Sequence, residues 1–282
     1  MHPRKSNLSR RRILQLGTAG AAVSVLTTRA SAAPVKIRYA TGGGIGPNEM
    51  ETIISDNYQD GHLGNATNTF FVLNDSPIKT IADLKGKKVG INAYGSAVDL
   101  VLRVALKKNG MDPKKDLQIV EINFPNMAAA IREKRIDCGS LVIPFLAVEA
   151  PKGDLRPLIT WADAFGPSSV IFQVAATNFL NANKEAVRGF LADYVTGLNW
   201  YYDKANRTKA LELVSALTKS PVAVLDSYFA TGKDYYRDPN GCLPVTAIQT
   251  PIDAMVAEGL ISEKVDAAKY LDLSLLPRPC AT

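Results

Sequence analysis

The stretch that decides the fold class is Thr80–Gly110, TIADLKGKKVGINAYGSAVDLVLRVALKKNG. Its first half predicts a short strand at 88–92, after a helical turn that a Thr-x-x-Asp capping box opens at Thr80. A second capping box begins at Ser96, and the apolar residues that follow recur at helical spacing until Gly110 ends the helix. A strand, a loop and a helix in this order predict a βαβ unit, and therefore an α/β protein.

The same alternation continues on both sides of that stretch. Asn126 is predicted to cap a helix over 127–134, and Pro144 is placed to begin another at Phe145. The residues at 55–68 are predicted to form a polar loop. Apolar runs predict strands at 35–41, 69–73, 117–122, 136–143, 155–161 and 170–177, and helical spacing covers 184–202, 208–217, 222–228 and 251–258. The sequence therefore predicts parallel-rich sheets followed by an α-rich C-terminal part.

The positive charge is concentrated at the N-terminus. The chain of 282 residues has 33 basic and 27 acidic residues, which gives a net charge of +6. Six basic residues and no acidic residue fall within 1–32, so the rest of the chain is formally neutral. Because the neutral part has no basic stripe, nucleic acid is not an expected partner.

Residues 1–32 are interpreted as an export signal. Ser9–Gln15, SRRRILQ, resembles the twin-arginine consensus, and a weakly apolar stretch of about 13 residues follows it. That stretch is shorter than the roughly 20 residues that a membrane span requires. We expect cleavage near Ala32 and a periplasmic protein, with a basic surface helix or a signal anchor as the alternative.

Residue types that support catalysis or metal binding are scarce. After residue 32 the only histidine is His62, in a turn-rich run, and the sequence has no nucleophile elbow, phosphate loop or zinc motif. Cys138 is predicted to be a core residue, while Cys242 and Cys280 either pair in an oxidising compartment or stay free. The sequence therefore predicts no metal, no cofactor and no enzyme activity.

The chain does have helix N-termini at the carboxyl ends of predicted parallel strands, at 44–47, 95–97, 126–128 and 144–145. Ligands of open α/β sheets bind at this edge, and each free backbone N–H group there favours an anion by about 0.3 to 1 kcal/mol. Micromolar affinity requires about 8 kcal/mol, so several termini and an aromatic contact from Tyr94, Phe124 or Phe145 would have to converge. The alternative is that each glycine or asparagine only makes a turn.

Several segments carry a family resemblance. The run at 75–90, DSPIKTIADLKGKKVG, followed by Gly95 and Ser96, resembles a segment of the ABC-transporter substrate-binding proteins of the nitrate, sulfonate and taurine type. Three later segments are similar to parts of the same family: 131–138 (IREKRIDC), 142–145 (VIPF) and 187–192 (VRGFLA). The resemblance implies a periplasmic-binding-protein-like fold of type II. Its two lobes would close on a small anionic or zwitterionic ligand and present the ligand to a permease in the inner membrane, with the protein expected to be a monomer.

The resemblance also implies a set of ligand-binding residues, matched to the cleft loops of that family: Gly43, Gly44, Tyr94, Ser96, Asn126, Phe145 and Asp163. The implied organisation is a signal peptide at 1–32, a first part of lobe I at 33–79, lobe II at 80–165, and a return to lobe I with C-terminal helices at 166–282.

Lobe I departs from the family pattern. Only about 28 residues separate the predicted strands at 35–41 and 69–73, which is too few for two βαβ crossovers of a dozen or more residues each. We therefore expect a shortened lobe I and marginal stability. Two further functions stay open: a ligand-sensing or interaction protein of the same fold, and an enzyme similar to the thiamine-pyrimidine synthases, whose histidine and cysteine-rich motif is absent from this sequence.

Overall fold

The structure, a computed structural model, describes residues 51–231 and 233–280. The strands in this part of the chain are β1 (Glu51–Asp60), β2 (Thr69–Leu73), β3 (Lys88–Ile91), β4 (Gln118–Glu121), β5 (Cys138–Leu141), β6 (Leu155–Thr160) and β7 (Ser168–Ala176). The α-helices are α1 (Ala97–Lys108), α2 (Phe124–Arg132), α3 (Phe145–Glu149), α4 (Trp161–Phe165), α5 (Thr177–Ala182), α6 (Lys184–Tyr202), α7 (Arg207–Thr218), α8 (Val222–Asp226) and α9 (Val245–Ala257). Short 3-10 helices lie at Ile81–Leu84, Ala150–Lys152, Lys204–Asn206 and Ala267–Tyr270. The predicted export signal, Gly43 and Gly44 lie outside the described residues.

The larger sheet has five strands in the order β4-β3-β5-β2-β6. β3 runs parallel to β4 and β5, with Val89 paired to Ile119 and to Cys138, whereas β2 runs antiparallel to β5 and β6. The βαβ pattern predicted for β3, α1 and β4 is therefore confirmed. Because β2 shares this sheet with strands that follow residue 79, the predicted boundary between 33–79 and 80–165 falls inside one sheet.

Helices cover both faces of the five-stranded sheet. Phe70 and Phe71 are neighbours on β2, and they belong to two separate cores, one with Leu102 of α1 and one with Met127 of α2. α2 packs so closely that a Cβ on Gly139 would lie 2.8 Å from the Met127 sulfur. Glycine in the middle of β5 therefore lets this helix approach the sheet without displacing the Met127 side chain.

The smaller sheet pairs β1 with β7 in antiparallel register. β1 covers 51–60, so the prediction of a polar loop is wrong for 55–60. The reason is that its polar side chains are internal: Ser55, Asp56, Gln59 and Asp60 are each at most 3% exposed. A polar run need not be a loop when the fold places its side chains in an interior.

The C-terminal part is helical, as predicted. α6 has the predicted limits, while α9 begins at Val245, well before the predicted start, and contains Pro251 within it. α6 packs beside Ile54 of β1, and α9 packs beside Ile53. None of the helices in the described residues is long and apolar enough to span a bilayer.

Cysteine pairing, which the sequence left open, is resolved in the structure. Cys242 and Cys280 form a disulfide with a Cα–Cα distance of 5.6 Å, and it ties the segment before α9 to the end of the described chain. Cys138 is a free, fully buried thiol on β5, as its apolar surroundings predicted.

Candidate functional site

The ends of β3, β4 and β5 lie at one edge of the five-stranded sheet, because these three strands are parallel. β6 ends at the same edge, since β5 and β6 both run antiparallel to β2 between them. We call this the carboxyl edge and define it by the connections that leave it, 92–96, 122–124, 142–145 and 160–163. Of the residues expected to bind a ligand, those within these connections are Tyr94, Ser96, Phe145 and Asp163.

Tyr94 lies in the connection after β3 and has 55% of its surface exposed. Its hydroxyl donates to the carbonyl oxygen of Ile119 at 2.9 Å, and its backbone N–H donates to a Glu121 carboxylate oxygen at 2.7 Å. Both acceptors belong to β4, so the side chain is held across the neighbouring strand while its remaining surface stays open. Tyr94 can therefore give a ligand an aromatic contact.

At the start of α1, some of the backbone N–H groups that could bind an anion are already hydrogen-bonded within the chain. The Ser96 hydroxyl accepts from the Asp99 N–H at 3.3 Å and donates to Asn92 at 2.9 Å. The buried Asp99 carboxylate accepts from the Gly95 N–H at 2.8 Å and pairs with Arg103 at 2.8 Å. A carboxylate of the chain thus already occupies part of this helix N-terminus. Fewer N–H groups remain for an external anion than the sequence pattern predicted.

Two phenylalanines connect the loops after β4 and β5. The rings of Phe124 and Phe145 stack with centroids 6.1 Å apart and an interplanar angle of 23°. Phe145 is the first residue of α3, directly after Pro144, as predicted. The pair forms an apolar surface at the carboxyl edge, next to the starts of α2 and α3.

Asn126 does not cap a helix, so that prediction is wrong. α2 begins at Phe124 after Asn123, and Asn126 is an exposed residue in its first turn. Pro125 explains the early start, since proline lacks the N–H group that the first helical turn leaves unpaired and its fixed φ suits a helix start. The aromatic residue Phe124, already expected as a source of ligand contact, is therefore the first residue of α2 at this edge.

Asp163 lies at the carboxyl edge, but its carboxylate is bound within the chain. One oxygen accepts from the N–H and from the hydroxyl of Thr160, both at 2.8 Å, which closes a capping box at the start of α4. Lys108 donates to the carbonyl oxygens of Asp163 and Ala164. In this structure Asp163 therefore stabilises a helix start.

Two residues that the sequence did not mark, Asn68 and Tyr235, lie against the carboxyl edge. The N–H of Asn68, just before β2, donates to Asp60 at 2.9 Å. The buried ring of Tyr235 stacks on Tyr58 with centroids 4.5 Å apart, and its hydroxyl contacts both the Asn68 side chain and the Ile143 N–H. No local pattern could reveal this arrangement, because Asn68 and Tyr235 are 167 positions apart in the sequence.

Two buried carboxyl groups lie on β1. Burial raises the pKa of Asp56 to about 7 and the pKa of Asp60 to about 6. Hydrogen bonds from Gln59 to Asp56, and from the Gly61 and Asn68 N–H groups to Asp60, act in the opposite direction but do not cancel the effect of burial. Near neutral pH, β1 therefore carries less negative charge than two fully ionised aspartates would give it.

Other features lie away from the carboxyl edge. A surface cavity of about 480 Å³ is found at the far end of α1, where Lys107 pairs with Glu258 of the segment after α9 at 2.9 Å. Burial raises the pKa of the Cys138 thiol and keeps it protonated. Within 51–231 and 233–280, no group of three or more His, Cys, Asp or Glu side chains is suited to hold a metal ion.

Comparison with known proteins gives a family match. A family profile described as NMT1/THI5 like matches residues 62–207. Over 203 residues the chain is 28% identical to an Escherichia coli (strain K12) protein named for binding aliphatic sulfonates, and the alignment covers 69% of this chain and 59% of that protein. The chain thus spans less than two thirds of the length of this relative.

Solved structures share the fold. The periplasmic aliphatic sulphonate binding protein SsuA of Escherichia coli superposes with a TM-score of 0.62 at 22% identity, over 82% of this chain and 70% of that chain. The desulfurization enzyme DSZB superposes with a TM-score of 0.57 at 14% identity, over 81% of this chain and 78% of that chain. These likenesses confirm the predicted α/β fold of the periplasmic-binding-protein type. They also show that both a binding protein and an enzyme have this fold.

Proposed function

Because the chain belongs to the NMT1/THI5-like family, we propose that it is a solute-binding protein whose carboxyl edge binds a small anionic or zwitterionic organic molecule. Sulfonates, with nitrate and taurine as related candidates, are the class that we favour. The bound molecule is delivered to an ABC permease in the inner membrane. Relatives named for binding sulfonates support the class of ligand.

The observation that carries the proposal is the meeting of three loops at the carboxyl edge. Tyr94, Phe124 and Phe145 supply apolar and aromatic surface there, beside the N-termini of α1 and α2. A sulfonate combines an apolar part with a charged group of hydrogen-bond acceptors, and this combination matches aromatic rings placed next to backbone donors. Since Asp99 already uses part of the α1 terminus, most of the roughly 8 kcal/mol needed for micromolar binding must come from apolar contacts and from closure of the lobes.

The enzyme hypothesis has less support in the described residues. The Cys138 thiol is fully buried, whereas a nucleophilic cysteine must be accessible and readily deprotonated. His62 is stacked on Tyr236 at 4.0 Å and bonded to Gln59 at 3.0 Å, outside the carboxyl edge. The remaining alternative is a ligand-sensing or interaction protein of the same fold that docks a membrane partner without transport.

The proposal includes export by the twin-arginine pathway, with cleavage near Ala32 and a periplasmic location. The relation to proteins described as periplasmic supports the location. Replacing Arg10 and Arg11 together by lysine is expected to retain the protein in the cytoplasm, because the pathway reads the arginine pair and not only the charge. Cell fractionation followed by N-terminal sequencing of the exported chain tests both points. Export that the double replacement leaves unchanged would contradict this part.

Ligand-dependent thermal stabilisation tests the binding function. The probes are ethanesulfonate, MOPS, taurine, nitrate and an aromatic carboxylate. A ligand present at 100 times its Kd stabilises the folded chain by about 2.7 kcal/mol, which appears as a rise in melting temperature. We expect such a rise with at least one sulfonate.

Matched variants locate the site. Phe145→Ala removes one ring of the aromatic pair and is expected to abolish most of the thermal shift. Tyr270→Ala removes another aromatic ring, 46% exposed and distant in sequence from the edge, and is expected to keep it. The binding function is refuted if no probe shifts the melting temperature. The location of the site at the carboxyl edge is refuted if Phe145→Ala and Tyr270→Ala give the same thermal shift.

A further inference from the structure

We propose that Tyr235 is a positioning residue of the carboxyl edge, whose hydroxyl holds the 142–145 loop, and through it Phe145, in the place required for ligand binding. The ligand part of this inference rests on the proposed solute-binding function. The structural part, a hydrogen bond from one loop to one side chain, does not depend on any ligand.

The hydroxyl of Tyr235 has two partners with complementary roles. It donates to the side-chain oxygen of Asn68, and it accepts from the backbone N–H of Ile143 at 3.3 Å. Only 6% of Tyr235 is exposed, so water has little access to replace either bond. The stacked ring of Tyr58 fixes the direction in which the hydroxyl points.

Asn68, the acceptor of the Tyr235 hydroxyl, is also bonded to the segments that connect the two sheets. The N–H of Asn68 donates to Asp60 at the end of β1, and its carbonyl oxygen accepts from the N–H of Trp161 at the start of α4, both at 2.9 Å. One connection runs from β1 to β2 and the other from β6 to β7. Through Asn68, Tyr235 therefore joins the ligand loop to both connections.

A second tyrosine in the same region provides a matched control. The hydroxyl of Tyr201 donates to Asp234 at 2.6 Å and accepts from the N–H of Ala230 at 3.1 Å. It thus makes a comparable pair of bonds within the C-terminal part, and neither partner is Asn68 or Ile143. Its acceptor Asp234 also accepts from the backbone N–H of Tyr235 at 2.8 Å. Tyr201→Phe removes a tyrosine hydroxyl, as Tyr235→Phe does, but breaks no bond to Asn68 or Ile143, and the Ala230 N–H keeps a second acceptor in Asp234 at 3.3 Å.

Amide hydrogen exchange in the ligand-free protein tests the structural part. Tyr235→Phe keeps the ring and its stacking but removes the acceptor for the Ile143 N–H, so we expect that amide to exchange about 2- to 12-fold faster, the range of one net hydrogen bond. Tyr201→Phe is expected to leave exchange at Ile143 unchanged. The inference is overturned if the two variants exchange alike at Ile143.

Affinity for a sulfonate probe tests the functional part. In a protein that binds ethanesulfonate, Tyr235→Phe is expected to weaken Kd by about 2- to 12-fold, whereas Tyr201→Phe retains the original Kd. An unchanged Kd in Tyr235→Phe would overturn the positioning role. If the unmodified protein binds no sulfonate, the proposed function fails, while exchange at Ile143 still decides whether the hydroxyl holds the loop.

A variant at the other partner keeps the test decisive if Tyr235→Phe does not fold. Asn68→Ala removes the acceptor of the Tyr235 hydroxyl but leaves the Ile143 N–H its own acceptor. In Asn68→Ala we expect the Ile143 amide to exchange faster than in the original protein, but by less than in Tyr235→Phe, which loses the acceptor of that amide. We also expect a measurably weaker Kd for ethanesulfonate. The inference is overturned if Asn68→Ala changes neither the exchange rate of the Ile143 amide nor the Kd for ethanesulfonate.

Discussion

Replacing Asp56 by asparagine is expected to make the protein more stable at pH 8 and to leave its stability at pH 4 nearly unchanged. The carboxyl group is 1% exposed, and one of its oxygens has no hydrogen-bond partner in the described part of the chain. Burial raises its pKa from 3.8 to about 7, a shift equivalent to about 4 kcal/mol. Hydrogen bonds from the Gln59 side chain and the Asp238 backbone oppose this rise, as does the charge of Arg237, while the charge of Asp238 adds to it.

The direction of the pH dependence follows from the two pKa values. Below pH 3.8 the group is protonated in both the folded and the unfolded chain, so its folded environment costs nothing. Between pH 3.8 and about 7 the unfolded chain loses this proton while the folded chain retains it, so up to about 4 kcal/mol of stability is lost across that range and no more is lost above it. Asparagine remains neutral, so Asp56→Asn does not suffer this loss.

Urea unfolding at pH 4, 6 and 8, followed by tryptophan fluorescence, measures the effect. The difference in free energy of unfolding between Asp56→Asn and the original protein is expected to grow with pH, by up to about 4 kcal/mol. Asp75→Asn, at an exposed position, controls for the chemical change itself. A difference that is independent of pH, or a variant that is less stable at pH 8, would refute the reasoning.

Three further predictions concern stability. Replacing Cys242 and Cys280 by serine is expected to cost about 4 kcal/mol, the loop-closure entropy of a 38-residue separation, measured by urea unfolding against the oxidised protein; an unchanged midpoint would contradict it. Gly139→Ala is expected to cost about 1 to 3 kcal/mol because its Cβ would lie 2.8 Å from the Met127 sulfur, whereas Gly189→Ala, with nothing within 4 Å, should be neutral or stabilising. Scanning calorimetry is expected to give a melting temperature below about 65 °C, and a higher value would argue against a shortened first lobe.

The sequence predicted the parts of the fold that depend on local patterns. The capping box at Thr80, the N-cap at Ser96, the disposition of strands and helices between 88 and 161, and the limits of α6 all follow from spacing along the chain. The error at 55–60 has a physical cause, since polarity predicts exposure only where the fold does not enclose the residues. Asp56 and Asp60 are enclosed, and burial raises the pKa of both.

The candidate site was predictable only in outline. Parallel strands place their ends at a common edge, so the presence of Tyr94, Ser96 and Phe145 there could be expected. The contact of Tyr235 with Asn68 and Ile143 depends on how the chain returns from its C-terminal part, and spacing contains no information on such a contact. Asp163 differs, because Thr160 and Asp163 have the same capping-box spacing as Thr80 and Asp83, so the bonding of its carboxylate to its own helix start is a local pattern.

The most direct test of the solute-binding function is isothermal titration calorimetry of ethanesulfonate into the protein. We predict binding at one site per chain with a micromolar Kd, equivalent to about 8 kcal/mol, and a loss of that binding in Phe145→Ala. Absence of heat with ethanesulfonate, taurine and nitrate, or equal binding by the Phe145→Ala variant, would contradict a ligand site at the carboxyl edge.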